Sequence, residues 1–207
     1  MPDLFEDFFE EFGYDVHDLF ELKKLSPSYR IFFKDSGKQI DVFDEVEKNR
    51  ETFESLEPGS TDQLKKYLSK AKYQYEVAMK EFVPKNYDNI TDFFTRRMLT
   101  EWFKLNVFST IGKYVKRYFK TPEMQKIIQY PMVFLGSPPY ETPAIYNLMT
   151  YVDFGMGVRY PKGGIRSIIE ALVDIGKKLW VQYHTNSEVT QILIDPRPNT
   201  KDHIAWL

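Results

Sequence analysis

The chain has 207 residues, of which 43% are hydrophobic and 28% are charged, and its formal net charge is −2. These proportions exclude a disordered chain, because disordered chains combine little apolar surface with a large net charge. Cysteine is absent, which excludes disulfides and Cys-ligated metal sites. The longest stretch without a charge, residues 127–140, is shorter than the roughly 20 residues of a membrane-spanning helix.

Charge and aromatic residues are unevenly distributed along the chain. Residues 1–57 carry 16 acidic and 7 basic side chains, whereas residues 85–126 carry 4 acidic and 9 basic ones. Aromatic residues are frequent, with 17 Phe, 14 Tyr and 3 Trp. A basic and aromatic middle segment suits either an anionic surface or a solvated helix face, and charge alone leaves both interpretations open.

The first third of the chain predicts one helix, a small sheet and then further helices. Phe5, Phe8, Phe9 and Phe12 recur at helical spacing, which predicts a helix over residues 4–12. Short β-rich runs separated by turn residues predict strands over 19–25, 29–33 and 39–43, two or three of which form an antiparallel meander. Helical patterns follow over 44–56 and from 60 to about 83, the second with Ser60 or Thr61 as its cap.

The middle and the end of the chain change from helical to mixed character. Further helices are predicted over 90–119 with a break near 109–112, from 121 to a kink or end at Pro131, and from 142 to about 152. The tail predicts a short strand, an amphipathic helix and three more strands, over 158–160, 165–177, 181–183, 189–194 and 203–207. The chain is therefore expected to be α+β, with antiparallel or mixed sheet pieces from both ends and a large helical insertion.

The sequence lacks the common catalytic signatures. It contains no G-x-S-x-G, no H-E-x-x-H and no P-loop, and its three histidines are scattered singly, so no metal site is expected. Gly155-Met156-Gly157 is not a dinucleotide-binding loop, because Tyr160 stands where the third glycine would be and a strand follows.

Two consecutive glycines, in Tyr160-Pro161-Lys162-Gly163-Gly164, precede the amphipathic helix of the tail. Paired glycines at a helix start allow another group to approach the backbone closely, and the N–H groups there favour an electron-rich partner. A tight strand-to-helix turn without a ligand explains the same pattern, and spacing alone favours that simpler interpretation.

The stretch from Gly157 to Asp195 resembles the signature of carotenoid desaturases and related FAD-dependent enzymes of the amine-oxidase fold. In that family an aromatic-Pro-x-Gly-Gly turn opens a helix, and a strand and an Asn-x-x-Val-x-x-Ile motif follow, as in Asn186 to Ile192 here. Residues 1–33 resemble the phytoene-desaturase segment that contains Leu25-x-Pro27-x-Tyr29-Arg30. Residues 134–164 resemble a later segment of the same enzymes, with matches at Gly136, Pro139, Pro143, Ala144 and Tyr146.

The resemblance implies roles for particular residues. The double glycine lies near flavin and substrate in the family, which implies FAD contacts for Gly163 and Gly164 and substrate contacts for Tyr160 and Pro161. The Val189 backbone, with Glu188 beside it, is implied to touch the adenine of FAD. Arg97 corresponds to a substrate-side arginine and is the candidate catalytic residue, although an arginine on a solvated helix face explains it as well.

The resemblance also implies an organisation of the chain. It predicts an entry helix and substrate-domain strands over 1–43, a helical lid with a possible membrane-facing region over 44–153, and a strand, the Gly-Gly helix and partial FAD-domain strands over 154–207. The family's G-x-G-x-x-G loop and its C-terminal FAD segment are not found in this sequence. We therefore expect an internal portion of such an enzyme that by itself is inactive and binds FAD weakly or not at all.

The implied activity is desaturation of a long apolar isoprenoid of the phytoene type, with hydride transfer to FAD. The expected partners are the apolar substrate, a membrane surface and the flavin-binding segments, with a peripheral location on the inner face of the cytoplasmic membrane. The aromatic and basic residues of 96–120 suit an interfacial helix on anionic lipid, and a lid helix in water is the alternative. Two other functions stay open, a related flavoenzyme acting on another apolar or amine substrate and a non-catalytic membrane- or partner-binding remnant. Nucleic-acid binding has little support, because the basic residues are interleaved with bulky aliphatic ones.

Overall fold

The computed structural model describes residues 3–83, 109–191, 193–194 and 204–205. The chain begins with helices α1 (Asp3–Glu10) and α2 (Val16–Leu19), followed by strands β1 (Leu22–Lys24), β2 (Tyr29–Phe32) and β3 (Gln39–Val42). The predicted first helix is confirmed, as are the strands near 29–33 and 39–43. The predicted strand over 19–25 is shorter than expected, because Asp15 caps α2 by accepting from His17 N at 2.8 Å and so keeps Leu19 helical.

The strands at the two ends of the chain pair with each other. β2 and β3 form the expected antiparallel hairpin, with Tyr29 opposite Val42. β1 does not join them, so the meander has two strands rather than three. Instead β1 pairs antiparallel with β4 (Arg159–Pro161), and Leu25 N donates to Val158 O at 2.9 Å just beyond the ladder. Pairing over such a sequence separation depends on tertiary packing, which the local pattern does not contain.

The helices that follow the hairpin begin with α3 (Val46–Leu56) and α4 (Ser60–Val77), and α4 continues through a π-helical turn over Ala78–Phe82. The predicted caps at Ser60 or Thr61 are wrong, because both residues lie inside the first turn and Gly59 is the N-cap. The orphan N–H groups are satisfied from the preceding helix, since the Glu54 carboxylate accepts from Gly59 N at 2.6 Å and Thr61 N at 2.9 Å.

The second half of the helical region is made of short pieces. Its elements are α5 (Ile111–Val115), α6 (Pro122–Gln129), 3₁₀ helices over Tyr130–Leu135 and Ala144–Asn147, α7 (Leu148–Tyr151) and a π-helical turn over Val152–Met156. Pro122 opens α6 at its first position as predicted, and after Pro131 the chain is a 3₁₀ helix. The predicted helix over 90–119 lies largely outside the described residues, but its predicted break is confirmed by a bridge between Thr110 and Pro143.

Two apolar clusters hold the described parts together. The main cluster joins the hairpin to the helices, since Ile40 and Val42 pack with Phe53, Tyr67 and Met132. The helical region therefore shares its core with the sheet pieces. The second cluster joins the two ends of the chain, and its buried members are Phe9, Val16, Phe20, Ala171 and Ile175. Ala171 and Ile175 come from α8 (Arg166–Lys178), which matches the predicted amphipathic helix.

The tail after α8 differs from the prediction. Residues 181–183 and 189–191 are not strands, because no neighbouring strand pairs with them within the part of the chain that the structure describes. The observed strands are β5 (Leu193–Ile194) and β6 (Ile204–Ala205), which pair antiparallel and fall within the predicted ranges 189–194 and 203–207. Among the described helices, none is both long enough and apolar enough to cross a membrane.

Candidate functional site

The segment Tyr160–Gly164, called here the double-glycine bend, connects β4 to α8. Both glycines have positive φ, +87° at Gly163 and +89° at Gly164, a conformation that residues with a side chain rarely adopt. Lys162 N donates to Glu21 O at 2.8 Å, and Gly164 N donates to Pro161 O at 2.9 Å. The bend is therefore a defined turn fastened to the β1 side of the sheet, and the glycines are required by its backbone geometry.

The main chain of the bend is open on its outer side. A methyl group added to Gly163 would meet no atom within 4 Å, and one added to Gly164 would lie 3.7 Å from the Tyr160 hydroxyl. The start of α8 is set by Ser167, whose N and Oγ both donate to Gly164 O, at 3.1 and 2.9 Å. The N–H groups of Ser167 and Ile168 thus have acceptors within the turn, Gly164 O and Ile165 O, so the open face that another group can approach is the backbone of Gly163 and Gly164. The residues present thus fit a flavin nucleotide lying against bare backbone.

The two candidate substrate residues lie in the same continuous segment. Pro161 is buried in β4 opposite Leu22, whereas the Tyr160 ring is half exposed and its hydroxyl reaches toward Gly164. The structure therefore brings Tyr160, Pro161, Gly163 and Gly164 together, because they follow one another through a single turn. Tyr160 is the member of the pair whose side chain is accessible to a ligand.

The structure does not join Glu188 and Val189 to the bend. Both residues are exposed and lie outside regular secondary structure, and no hydrogen bond links them to Tyr160–Gly164 in the described part of the chain. The chain leaves α8 through Trp180 at φ 64°, and Tyr183 then packs so closely on α8 that a methyl group at Gly176 would lie 1.9 Å from its hydroxyl. Arg97, the candidate catalytic residue, lies outside the described residues.

An apolar cleft between α1 and α8 was not foreseen from the sequence. Its volume is about 480 Å³ and its lining is apolar: Leu4, Phe5, Phe8, Phe9, Ile168 and Leu172. The helical spacing of the α1 phenylalanines indicated an apolar face, but it did not indicate that α8 would lie beside it. The cleft belongs to the same two helices whose buried faces form the second cluster, and α8 begins at the double-glycine bend.

A buried polar group near the start of β4 was also missed. Tyr29 Oη donates to Asp153 Oδ2 at 2.5 Å, across the gap between β2 and the turn that precedes β4. Burial raises the pKa of Asp153 to about 6, the hydrogen bond from Tyr29 opposes the rise, and the charge of Asp44 adds to it. Asp44 is in turn ion-paired with Lys24 of β1.

Gly157 fits closely over this polar group. Its φ is +78°, and a methyl group there would lie 2.8 Å from Lys24 Cε and 3.1 Å from Asp44 Oδ2. This explains Gly157 as a requirement of the backbone geometry rather than of a dinucleotide-binding loop. The group fastens β1 and β2 to the segment that leads into the bend.

The comparisons with known proteins agree on one family. The family model described as flavin containing amine oxidoreductase matches residues 4–202. The carotenoid 3,4-desaturase of Haloarcula japonica is 42% identical over 193 residues, which are 93% of this chain and 39% of the relative. The 4,4'-diapophytoene desaturase (4,4'-diaponeurosporene-forming) of Staphylococcus aureus strain Newman is 28% identical over 204 residues, 99% of this chain and 40% of the relative.

The match extends over nearly the whole chain, whereas the chain spans only about two fifths of these relatives. The description of the family names a flavin, in agreement with the FAD that the resemblance implies. The relatives are named as desaturases, as the double-glycine signature and the Leu25-x-Pro27-x-Tyr29-Arg30 match predicted. The chain thus belongs to the family of flavin-containing amine oxidoreductases, and within that family it is similar to the carotenoid desaturases.

Proposed function

We propose that this chain is the substrate-side portion of an FAD-dependent carotenoid desaturase acting on a long apolar isoprenoid of the phytoene type. The observation that carries the proposal is the double-glycine bend, where two adjacent glycines at positive φ leave main chain open beside an accessible tyrosine. The similarity to desaturases at 42% and 28% identity supports the choice of substrate class.

In the proposal, Gly163, Gly164, Glu188 and Val189 contact FAD, and Tyr160 and Pro161 border the substrate. When bound, FAD supplies the hydride acceptor for the removal of a hydride and a proton from adjacent carbons, which leaves a new double bond. The chain's own residues orient the polyene and exclude water. The open backbone at Gly163 admits a flat ring, and the Tyr160 ring borders the space next to it. Arg97 is kept as the proposed substrate-side arginine.

The proposal includes a division of labour along the chain. Residues 1–43 and 154–207 supply the sheet pieces and the double-glycine bend, and residues 44–153 form a helical cover over the apolar substrate. The antiparallel pairing of β1 with β4 supports this division, because it brings the two ends together and leaves the helices between them as an insertion. A peripheral location on the inner face of the cytoplasmic membrane completes the proposal, since a wholly apolar polyene resides in lipid.

A graft tests the proposal directly. The 193 matched residues of the Haloarcula japonica relative are replaced by this chain, and the purified protein is examined for flavin absorbance and for desaturation of an acyclic carotenoid precursor. We expect a flavin band and new conjugated double bonds, detected as a red shift of the carotenoid spectrum. A folded graft that holds flavin but leaves every isoprenoid unchanged would contradict the substrate assignment.

The bend itself is tested by Gly163→Val in the graft, with Gly37→Val as the matched control. Both glycines have positive φ and open surroundings, so the backbone cost of about 1 kcal/mol is similar at both sites. We expect Gly163→Val to abolish the flavin band and the activity, because the new side chain occupies the proposed ring site, and Gly37→Val to retain both. Equal flavin content in the two variants would show that the bend does not contact FAD.

A further inference from the structure

Residues 130–140 carry large apolar side chains on the protein surface and are called here the apolar ridge. Val133 is 65% exposed, Phe134 66% and Tyr140 72%, whereas Pro131 and Met132, which precede them, are buried. Met132 belongs to the main cluster, and the Tyr130 ring lies 4.6 Å from the Tyr29 ring. The ridge is therefore anchored in the core by one side of its 3₁₀ helix and presents its apolar residues outward on the other.

The ridge is also fastened to the start of α5. Gly112 N donates to Pro139 O at 2.8 Å, and Ile111 N donates to Thr142 O at 2.9 Å. The contact is close, because a methyl group at Gly112 would lie 3.2 Å from Pro139 O. Thr142 Oγ1 closes the loop by donating to Pro138 O at 2.9 Å. These bonds hold the exposed residues in a defined shape.

Two exposed lysines lie near the ridge. Lys113 is exposed and directly follows the glycine that contacts Pro139. Lys126 is exposed and lines a shallow cleft of about 340 Å³ together with Val133 and Pro138. Within the described part of the chain, neither lysine forms an ion pair with a carboxylate. Residues 109–141 carry five basic side chains and two acidic ones, Glu123 and Glu141, so basic side chains outnumber acidic ones in the segments that form and hold the ridge.

We infer that the apolar ridge is the element by which this protein enters an anionic lipid surface, with Val133, Phe134 and Tyr140 among the acyl chains and Lys113 and Lys126 at the headgroups. Exposed aromatic and aliphatic residues rimmed by cations are the combination that binds anionic bilayers. The inference rests on the proposed function, which requires a route from lipid to the protein. The inferred lipid contact lies on the apolar ridge. The sequence pattern had pointed instead to residues 96–120, of which 96–108 lie outside the described residues.

The charge around the ridge favours an anionic lipid surface, rather than a second copy of the chain, as the partner of the ridge. Two copies meeting at this ridge would bring Lys113 and Lys126 of each near those of the other, and like charges across an interface are unfavourable. An anionic bilayer removes the same apolar surface from water and neutralises the lysines.

Vesicle co-sedimentation of the 207-residue chain tests the inference. The vesicles contain phosphatidylcholine alone or mixed with phosphatidylglycerol, and they contain neither carotenoid nor flavin. We expect binding to the mixed vesicles that weakens with salt, and weak binding to phosphatidylcholine. Val133→Ser combined with Phe134→Ser should lower the partition coefficient on mixed vesicles by about tenfold or more. Lys113→Gln combined with Lys126→Gln should lower it by roughly tenfold on mixed vesicles only.

Two matched control variants separate the ridge from general surface effects. Phe8→Ser combined with Ile169→Ser removes exposed apolar residues on α1 and α8, and Lys66→Gln combined with Lys177→Gln removes exposed lysines elsewhere. Both controls should bind mixed vesicles as the unmodified chain does. Circular dichroism of every variant checks that the fold is retained.

A depth measurement keeps the inference testable if a variant folds poorly. Phe134→Trp should gain fluorescence quenching by lipids brominated on the acyl chain, relative to the unmodified chain, whereas Phe8→Trp should gain none. Equal quenching at the two positions, or unchanged vesicle binding by the ridge double variant, would overturn the inference. A dimer in sedimentation velocity that the ridge double variant abolishes would also overturn it, in favour of self-association.

Failure here is distinguishable from failure of the proposed function. The vesicle assay uses no flavin and no carotenoid, so a negative result leaves the graft experiment and its desaturation readout unaffected. Conversely, a graft that desaturates nothing does not alter the vesicle binding of this chain.

Discussion

Asp153 is a buried carboxyl group that couples the fold to pH. Its side chain is 6% exposed and accepts a hydrogen bond from Tyr29 at 2.5 Å. Its pKa in the folded chain is raised to about 6 from an ordinary value of 3.8. A raised carboxyl pKa means that the folded state binds the proton more tightly than the unfolded state does. The contribution of Asp153 to stability is therefore greatest below its ordinary pKa and is lost as pH rises through about 6.

Replacing Asp153 with Asn should remove this pH dependence. Between pH 4 and pH 8, ionisation of Asp153 should lower the free energy of unfolding of the unmodified chain by about 2 kcal/mol. Asp153→Asn should not show this loss, because a neutral amide has no proton to lose. Urea unfolding of both proteins across that range measures the difference.

Tyr29→Phe is the complementary variant, because it changes the pKa of Asp153 without removing its carboxyl group. It removes the hydrogen bond that lowers the pKa of Asp153, so the loss of stability should move to higher pH than in the unmodified chain. A parallel pH profile for Asp153→Asn and the unmodified chain would show that Asp153 does not titrate in this range.

At the scale of elements, α6 depends on a carboxylate from another helix. Glu57, which follows α3, accepts from Lys120 N and Thr121 N at 2.8 Å each and from Thr121 Oγ1 at 3.0 Å. These groups lie directly before the first residue of α6, Pro122, and a negative charge there also complements the helix dipole. The start of α6 is therefore fixed by a contact between α3 and α6 as well as by its own proline.

Removing the Glu57 carboxylate should destabilise this junction. We expect Glu57→Ala to lower the free energy of unfolding by about 1–2 kcal/mol, since two backbone donors and one hydroxyl lose their acceptor. Glu51→Ala on the exposed face of α3 is the matched control and should change stability by less than about 0.5 kcal/mol. Thermal and urea unfolding measure both, and equal effects of the two substitutions would refute a specific role for Glu57.

At the scale of the whole molecule, the two ends of the chain form a unit of their own. β1 pairs with β4, and α1 and α2 pack against α8 through Phe9, Phe20 and Ile175. The Phe9 and Phe20 rings are 5.5 Å apart and nearly perpendicular, a favourable arrangement for aromatic pairs. The second cluster therefore fastens α8, and with it the double-glycine bend, to the start of the chain.

Truncating Phe9 should loosen this unit before the helical region. We expect Phe9→Ala to cost about 3–4 kcal/mol within the second cluster. Amide hydrogen exchange should speed up more in α8 than in α4, whose Leu64 and Tyr67 belong to the main cluster. Phe32→Ala is the control, because Phe32 is exposed and its removal leaves no cavity. Uniform acceleration across α4 and α8 would show that the two clusters unfold as one.

Local sequence patterns predicted correctly those elements whose determining residues are close together in the chain. The spacing of Phe5, Phe8, Phe9 and Phe12 predicted α1, Pro122 predicted the start of α6, and Gly163-Gly164 predicted the turn into α8. The family was also accessible, because the double-glycine signature and the Leu25-x-Pro27-x-Tyr29-Arg30 match are contiguous motifs. The predicted strand at 181–183 was wrong, since β-rich composition does not supply a pairing partner.

The sequence by itself determined the family, the order of helices and hairpin, and the glycines of the bend, because each of these depends on residues that are neighbours in the chain. Only the tertiary structure decided that β1 pairs with β4, that Glu57 caps backbone groups at the distant start of α6, and that Tyr29 holds Asp153. These contacts join residues far apart in the chain, and their formation depends on how much apolar surface the whole molecule buries when it folds. The same packing turns Val133 and Phe134 outward while Met132 turns inward, which alternation in the sequence alone does not reveal.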